Sequence, residues 1–220
     1  MKIGIDYENK YDEYEVPEKI GQEVVDLLEK WARTQKITLK DTTPGDIVVV
    51  AGNPYTVLDK DFQGGVFLLS KNILFEEAFD KDNYNNWAAS SLREHLNGDF
   101  LKELEEKIGA ENILEFERDL TSDDGLKDYG TCKDKVSLIT CDEYRGYRTV
   151  SKDDIGLKDK WWWTATAYST PYSSNSYFAR IVYTDGSLNY YNAYFGNYGV
   201  APCLCLLSSL EVEKFMVGGE

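Results

Sequence analysis

The sequence predicts an α+β fold of short antiparallel sheets with two or three helices. Three observations carry this. Short apolar runs bounded by turn residues follow residue 44 and recur after residue 160. Two stretches between and before them space their apolar residues for helices. Asp185-Gly186 stands between two strand-like runs, a strong hairpin signal. Strands, then helices, then strands again is an α+β order.

The elements follow in order. Met1–Glu15 reads as a polar leader. Pro17–Lys36 reads as an amphipathic helix: Pro17 suits a first turn, and Ile20, Val24, Leu27, Leu28 and Trp31 form one stripe. Ile47–Ala51 and Tyr55–Leu58 read as strands joined by Gly52-Asn53-Pro54, with Val66–Leu69 as a third. Asn86–Asn97 reads as a helix, Ser91 and Glu94 having capping-box spacing. Asn97-Gly98-Asp99 should break it, and Asp99 can cap a second helix, Phe100–Ile108. Glu115–Gly130 is acidic and irregular, and Val136–Thr140 is a strand. Tyr177–Tyr183, Leu188–Tyr194 and Val200–Leu207 close the fold. Two units are expected: 1–44, a leader with the helix, and 45–220, a ligand-binding domain.

Charge narrows the partners. The 220 residues carry 39 acidic and 24 basic side chains, net -15. Nucleic acid and anionic lipid need a basic footprint, so neither is expected. The first residues lack a secretory apolar run, and nothing approaches the roughly 18 apolar residues of a membrane span. The expected location is the cytoplasm or a phage particle, with surface display only by a non-standard route. A homo-oligomer is compatible with the amphipathic helix.

Catalytic chemistry is sparse. His95 is the only histidine, and neither a nucleotide-binding nor a zinc-hydrolase motif is present. Asp59-Lys60-Asp61 begins like a calcium loop, but Ser70 stands where a glutamate should close it. Asp123-Asp124 with Asp128 reads as an acidic surface loop or a cation site. Cys132, Cys141, Cys203 and Cys205 read as buried free thiols; a Cys132–Cys141 disulfide and a four-cysteine metal site are the alternatives. No catalytic residue, metal or cofactor is assigned.

The informative segment is Thr164–Gly199. It holds eight of the 16 tyrosines, five serines and four asparagines, and its only charged residues are Arg180 and Asp185. Selected binding loops favour this composition, because tyrosine gives rigid, amphipathic contact area and small polar residues adapt their hydrogen bonds. Asn189-Tyr190-Tyr191-Asn192 does not alternate apolar with polar, as a half-buried strand should. The segment also lacks Lys, Glu, Gln, Met and Trp. These are the residues that no codon with a pyrimidine in third place encodes, so the pattern points to asparagine codons randomised at both adenines.

Trp161-Trp162-Trp163-Thr164, Tyr177-Phe178-Ala179-Arg180-Ile181-Val182, Asp185-Gly186-Ser187 and Gly199-Val200-Ala201-Pro202-Cys203-Leu204-Cys205-Leu206 resemble the end of a diversity-generating retroelement variable protein. Gly45-Asp46-Ile47-Val48-Val49-Val50, Tyr55-Thr56-Val57-Leu58-Asp59 and Ser90-Ser91-Leu92-Arg93-Glu94-His95-Leu96-Asn97 resemble an uncharacterised bacterial and phage domain that such retroelements target. The resemblance covers about Gly45–Glu213. It implies a C-type-lectin-type fold with a C-terminal variable segment, about 164–199, and binding of a macromolecular ligand, a protein first, rather than catalysis. Variable positions would lie among Tyr168, Tyr172, Ser174, Tyr183, Asn189, Tyr190, Tyr191, Asn192, Tyr194, Phe195, Asn197 and Tyr198. Trp161–Trp163, Ala179, Ile181, Gly186, Val200, Pro202, Leu204 and Leu206 would be scaffold. Two departures stand out: Ala201 replaces a frequent arginine, and the calcium motifs of sugar-binding lectins are absent. The alternatives are a fixed-surface carbohydrate- or protein-binding module and, more remotely, a copper oxidase of the formylglycine-generating type using Cys203 and Cys205.

Overall fold

The structure is a computed structural model that describes residues 2–7, 10–15, 17, 19–24, 36–150, 155, 160–171 and 176–214. The leader is a hairpin: β1 (Lys2–Tyr7) pairs antiparallel with β2 (Lys10–Glu15). Ile3, Ile5 and Tyr7 alternate as a strand requires, a period outweighed by the surrounding charge. Residues 19–24 form the described part of α1. The rest of its stripe lies outside the described residues, and Lys36, expected in the helix, begins β3 (Lys36–Thr38).

The chain then runs through β4 (Ile47–Val50), β5 (Asn53–Phe62), β6 (Gly65–Ser70) and the two-residue β7 (Phe75–Glu76). The first turn is Ala51-Gly52 alone; Asn53 and Pro54 already face Val50 and Val49 in the ladder. The helix expected over Asn86–Asn97 comes in pieces. A 3₁₀ turn, Trp87–Ala89, is capped by Asn86, and α2 (Ser91–His95) is capped by Ser90, whose hydroxyl accepts from Arg93 N–H. Ser91 instead accepts from Lys81 N–H. Nor do Asn97-Gly98-Asp99 break the chain. Leu96–Phe100 is a π-helical stretch that runs directly into α3 (Leu101–Ile108). It turns Asn97 onto the later strand that begins at Val136, its Nδ2 donating to Val136 O at 2.8 Å and its Oδ1 accepting from Lys135 N at 3.0 Å.

The acidic stretch is partly regular: β8 (Phe116–Asp119) pairs with β9 (Thr131–Asp134). After β10 (Val136–Leu138), Thr140 and Glu143 form a capping box for α4 (Cys141–Tyr147), a helix the sequence reading missed. The closing strands are β11 (Trp162–Ala167), β12 (Phe178–Val182), β13 (Leu188–Asn192), β14 (Gly199–Val200), β15 (Pro202–Leu206) and β16 (Glu211–Lys214). The expected strand Val200–Leu207 is divided at Ala201, where the chain passes from one sheet to the other.

Two sheets carry the fold. One has the order β10-β15-β6-β5-β4-β16-β3, the other β13-β12-β11-β14-β7. Pairing is antiparallel throughout both except β11 with β14. The seven-stranded sheet includes β3, and the core includes Leu39, both from before residue 45. β6 and β15 are buried at every residue because both their faces are covered. Leu68, Leu204 and Leu206 face a core shared with Trp87, Leu92 and Trp163; Phe67, Cys203 and Cys205 face a second core with Tyr144 and Trp162. The neighbours Trp162 and Trp163 thus anchor different cores, as a strand's two-residue period dictates.

Candidate functional site

The aromatic segment begins where β11 leaves the core, and the acidic loop pins it there. Asp123 N–H donates to Ala167 O at 2.9 Å. Asp124 Oδ2 accepts from Ser169 Oγ, and Asp128 Oδ2 from Thr170 Oγ1, each at 2.6 Å. Asp123 pairs with Arg145 at 2.7 Å and approaches Arg180 Nε at 3.4 Å. These carboxylates have protein donors, so the loop is a brace rather than a free acidic surface. Among the described residues no His, Cys, Asp and Glu side chains are grouped to hold a metal.

Asn85 is the second brace, and the sequence reading missed it. It is fully buried. Its N–H donates to Ser176 O at 2.8 Å, and its Nδ2 donates to Ser169 O at 2.8 Å and Phe178 O at 2.7 Å. Tyr129 Oη donates to Asn85 Oδ1 at 2.6 Å. Burial, with the Asp128 charge, pushes the Tyr129 phenol up to about 12, so it remains a donor at neutral pH. One residue thus fixes three points of the segment, two through its side-chain amide and one through its backbone N–H. Nothing in its local sequence announces this, since all its partners but one are distant backbone carbonyls.

β12 and β13 form the hairpin that displays the tyrosines. Tyr183 N–H donates to Ser187 O, and Gly186 closes the turn with φ 78°, a region that glycine enters without steric cost. Arg180 faces Tyr190, and Ala179 faces Tyr191. Alternation then sends the rings to opposite faces. On one face Tyr190 packs against Tyr168 (4.3 Å between centroids) and Phe178 (5.0 Å), with Tyr177 against Phe178 (4.3 Å) and the Arg180 guanidinium 5.9 Å from the Tyr168 ring. On the other, Tyr191 meets Phe195 edge-on at 4.7 Å, Phe195 meets Tyr194 at 4.8 Å, and Tyr183 stacks on Trp161 at 4.2 Å. Asn189, Tyr190, Tyr191 and Asn192 do form a strand. Their lack of apolar–polar alternation reflects an edge strand with tyrosine on both sides.

The expected site residues therefore divide. Tyr190, Tyr194 and Asn197 are exposed; Tyr190 is 39% and Tyr194 51% accessible. Tyr168, Tyr183, Asn189, Tyr191, Asn192 and Phe195 are half-buried. Tyr172 and Ser174 lie outside the described residues. Tyr198 requires correction: it is 8% accessible and packs edge-on against Trp163 at 4.8 Å. It immediately precedes β14, which lies inside the sheet, so its ring enters the core. Burial, then the neighbouring Tyr191 and Tyr183, pushes its phenol well above the usual tyrosine range. Trp161, expected with the scaffold, is at the surface, 37% accessible, as are Tyr177 and Tyr84.

The cysteines are free thiols, and no Cys132–Cys141 disulfide forms. Cys203 and Cys205 are buried, and Cys205 Sγ donates to Phe62 O at 3.3 Å. Burial pushes the Cys205 thiol up to about 11 and Cys203 higher still. A polar cleft of about 410 Å³ opens elsewhere, between Glu117, Asp119, Asp123, Asp142 and Arg145; none of the expected site residues lines it.

These features define an α+β protein with an aromatic, charge-poor hairpin at one sheet edge. The chain belongs to the family described as Domain of unknown function (DUF6273), whose model matches residues 63–208, about two thirds of its length. Neither a curated protein nor a solved structure matches it. No helix among the described residues is long and apolar enough to cross a membrane.

Proposed function

We propose that this chain is a ligand-binding protein of the kind diversified by a retroelement, with a C-type-lectin-type fold and a protein ligand contacted by the segment 164–199. One observation carries the reading. Within that segment exposed side chains, among them Tyr177, Tyr190, Tyr194 and Asn197, are interspersed with residues that the core cannot release, Ala179, Ile181 and Ala193, each fully buried. Surface positions can change without disturbing the frame. The two-sheet α+β frame supports the fold assignment, and the resemblance at both ends of the segment supports the retroelement. Exposed tyrosines supply anchors of the type that dominates protein interfaces.

The gene tests it. A near-copy of the segment should lie close by, with adenines at the codons of Tyr168, Tyr190, Tyr191 and Tyr194, together with a reverse transcriptase. A gene with neither is a fixed-surface module. The raised thiols of Cys203 and Cys205, inside the second core, favour packing over the copper-oxidase alternative.

A further inference from the structure

We infer that the ligand, on the binding reading above, is recognised as an extended peptide strand added to the free edge of β13. The backbone phase comes first. Tyr183 N–H bonds to Ser187 O and Ala193 N–H to Tyr177 O. In this register Asn189 and Tyr191 turn their backbone groups to β12, and Leu188, Tyr190 and Asn192 turn theirs outward. β13 is the last strand of its sheet. Asn192 O accepts from Phe195 N–H, and Tyr190 N–H bonds only to the side chain of Asn189. Leu188 N–H and C=O, Tyr190 C=O and Asn192 N–H have no partner among the described residues.

The other edges of the two main sheets are protected. β7 is two residues long. β10 is sealed by Asn97 at Val136 and by Arg118 at Leu138 O. β3 opens with a lysine. β13 has no charge, proline or bulge, the usual guards against strand addition. The two aromatic groups flank this edge on opposite faces. A peptide laid along it would send alternate side chains to Tyr190 with Tyr168 and to Tyr191 with Tyr194. Backbone bonds would give affinity in common to all ligands, and variable rings would choose among them.

The probe is a peptide selected on the 220-residue chain from a displayed library of random 12-mers. Backbone N-methylation at successive positions should weaken binding tenfold or more at alternate residues and little between them. Asn192→Pro removes an outward N–H without touching the β12 ladder. It should lose at least tenfold in affinity relative to Asn192→Ala, and the peptide scan reports independently if that variant does not fold. Methyl effects without a two-residue period, or full binding by folded Asn192→Pro, overturn strand addition; loss in Tyr190→Ala would then still uphold the binding surface. Selected peptides indifferent to both variants, or none selected, overturn both readings. A dimer in light scattering that Asn192→Pro dissolves would assign the edge to a second copy and overturn the peptide.

Discussion

Asn85→Leu tests whether the display surface is held from outside its own segment. The substitution keeps the heavy-atom branching and removes three side-chain hydrogen bonds, to Ser169 O, Phe178 O and Tyr129 Oη. Phe178 O keeps a second donor, Tyr168 N–H at 2.9 Å, so its loss is partial. At about 1 kcal/mol per bond, the change costs about 3 kcal/mol. For a chain of this size that lowers Tm by roughly 6–12 °C. Amide exchange should accelerate at Tyr168, whose N–H bonds to Phe178 O, more than at Leu68 in the central sheet. Tyr129→Phe removes one of the three bonds and should cost about 1 kcal/mol. The double variant should be no worse than Asn85→Leu by more than a few tenths, because the two residues share that bond. A Tm loss under about 3 °C for Asn85→Leu, or additive effects in the double variant, would refute Asn85 as the tie.

Tyr198→Ala should lower stability by about 3–5 kcal/mol, as for other large core aromatics, whereas Tyr190→Ala with Tyr194→Ala should leave Tm nearly unchanged and remove ligand binding; chemical denaturation separates the two. Gly199→Ala should cost roughly 1–3 kcal/mol, because a Cβ there would lie 2.5 Å from Ile73 Cδ1 and under 3 Å from two more of its carbons; addition of Ile73→Ala should recover part of the loss. The Asp124 carboxyl is opposed by burial but held below its usual range by the Ser122 and Ser169 hydroxyls. A depressed carboxylate stabilises above its unfolded pKa, about 3.9, and that contribution is lost as pH falls through the lower folded value. Tm should therefore drop less steeply below about pH 4 in Asp124→Asn than in the parent chain; parallel curves would refute the brace.

The fold class was legible because both periods were present. Val66–Leu69, the Asp185-Gly186 hairpin and α3 stand close to where their patterns put them. Misreadings share a cause: local signals overruled by distant partners. Gly98 should end a helix, but Asn97 gains bonds to the β10 strand if the helix bulges and continues. Glu115–Gly130 hides β8, and β9 follows it; their outward residues, such as Glu117 and Lys133, are charged and mask the alternation of Phe116 and Arg118. Arg118 reads as a surface residue and is buried, its guanidinium bonded to Glu143 at 2.6 and 2.7 Å. Burial would depress that cation, but the Glu143 charge more than restores it.

Composition located the candidate site but could not resolve it. Tyrosine is chemically suited both to a core and to a contact surface, so eight tyrosines in one segment carry no label of their own. Register supplies the label. Tyr190 and Tyr191 are neighbours in sequence, yet the edge strand sends one to Tyr168 and the other to Phe195. Tyr198, identical in type, packs against Trp163 where the chain enters β14, inside the sheet. Whether a tyrosine is exposed or buried is thus decided by its place in the strands. A diversification that respects this boundary would alter Tyr190 and Tyr194 and spare Tyr198, and sibling sequences in which Tyr198 changes as freely as Tyr190 would show that the core does not limit the repertoire.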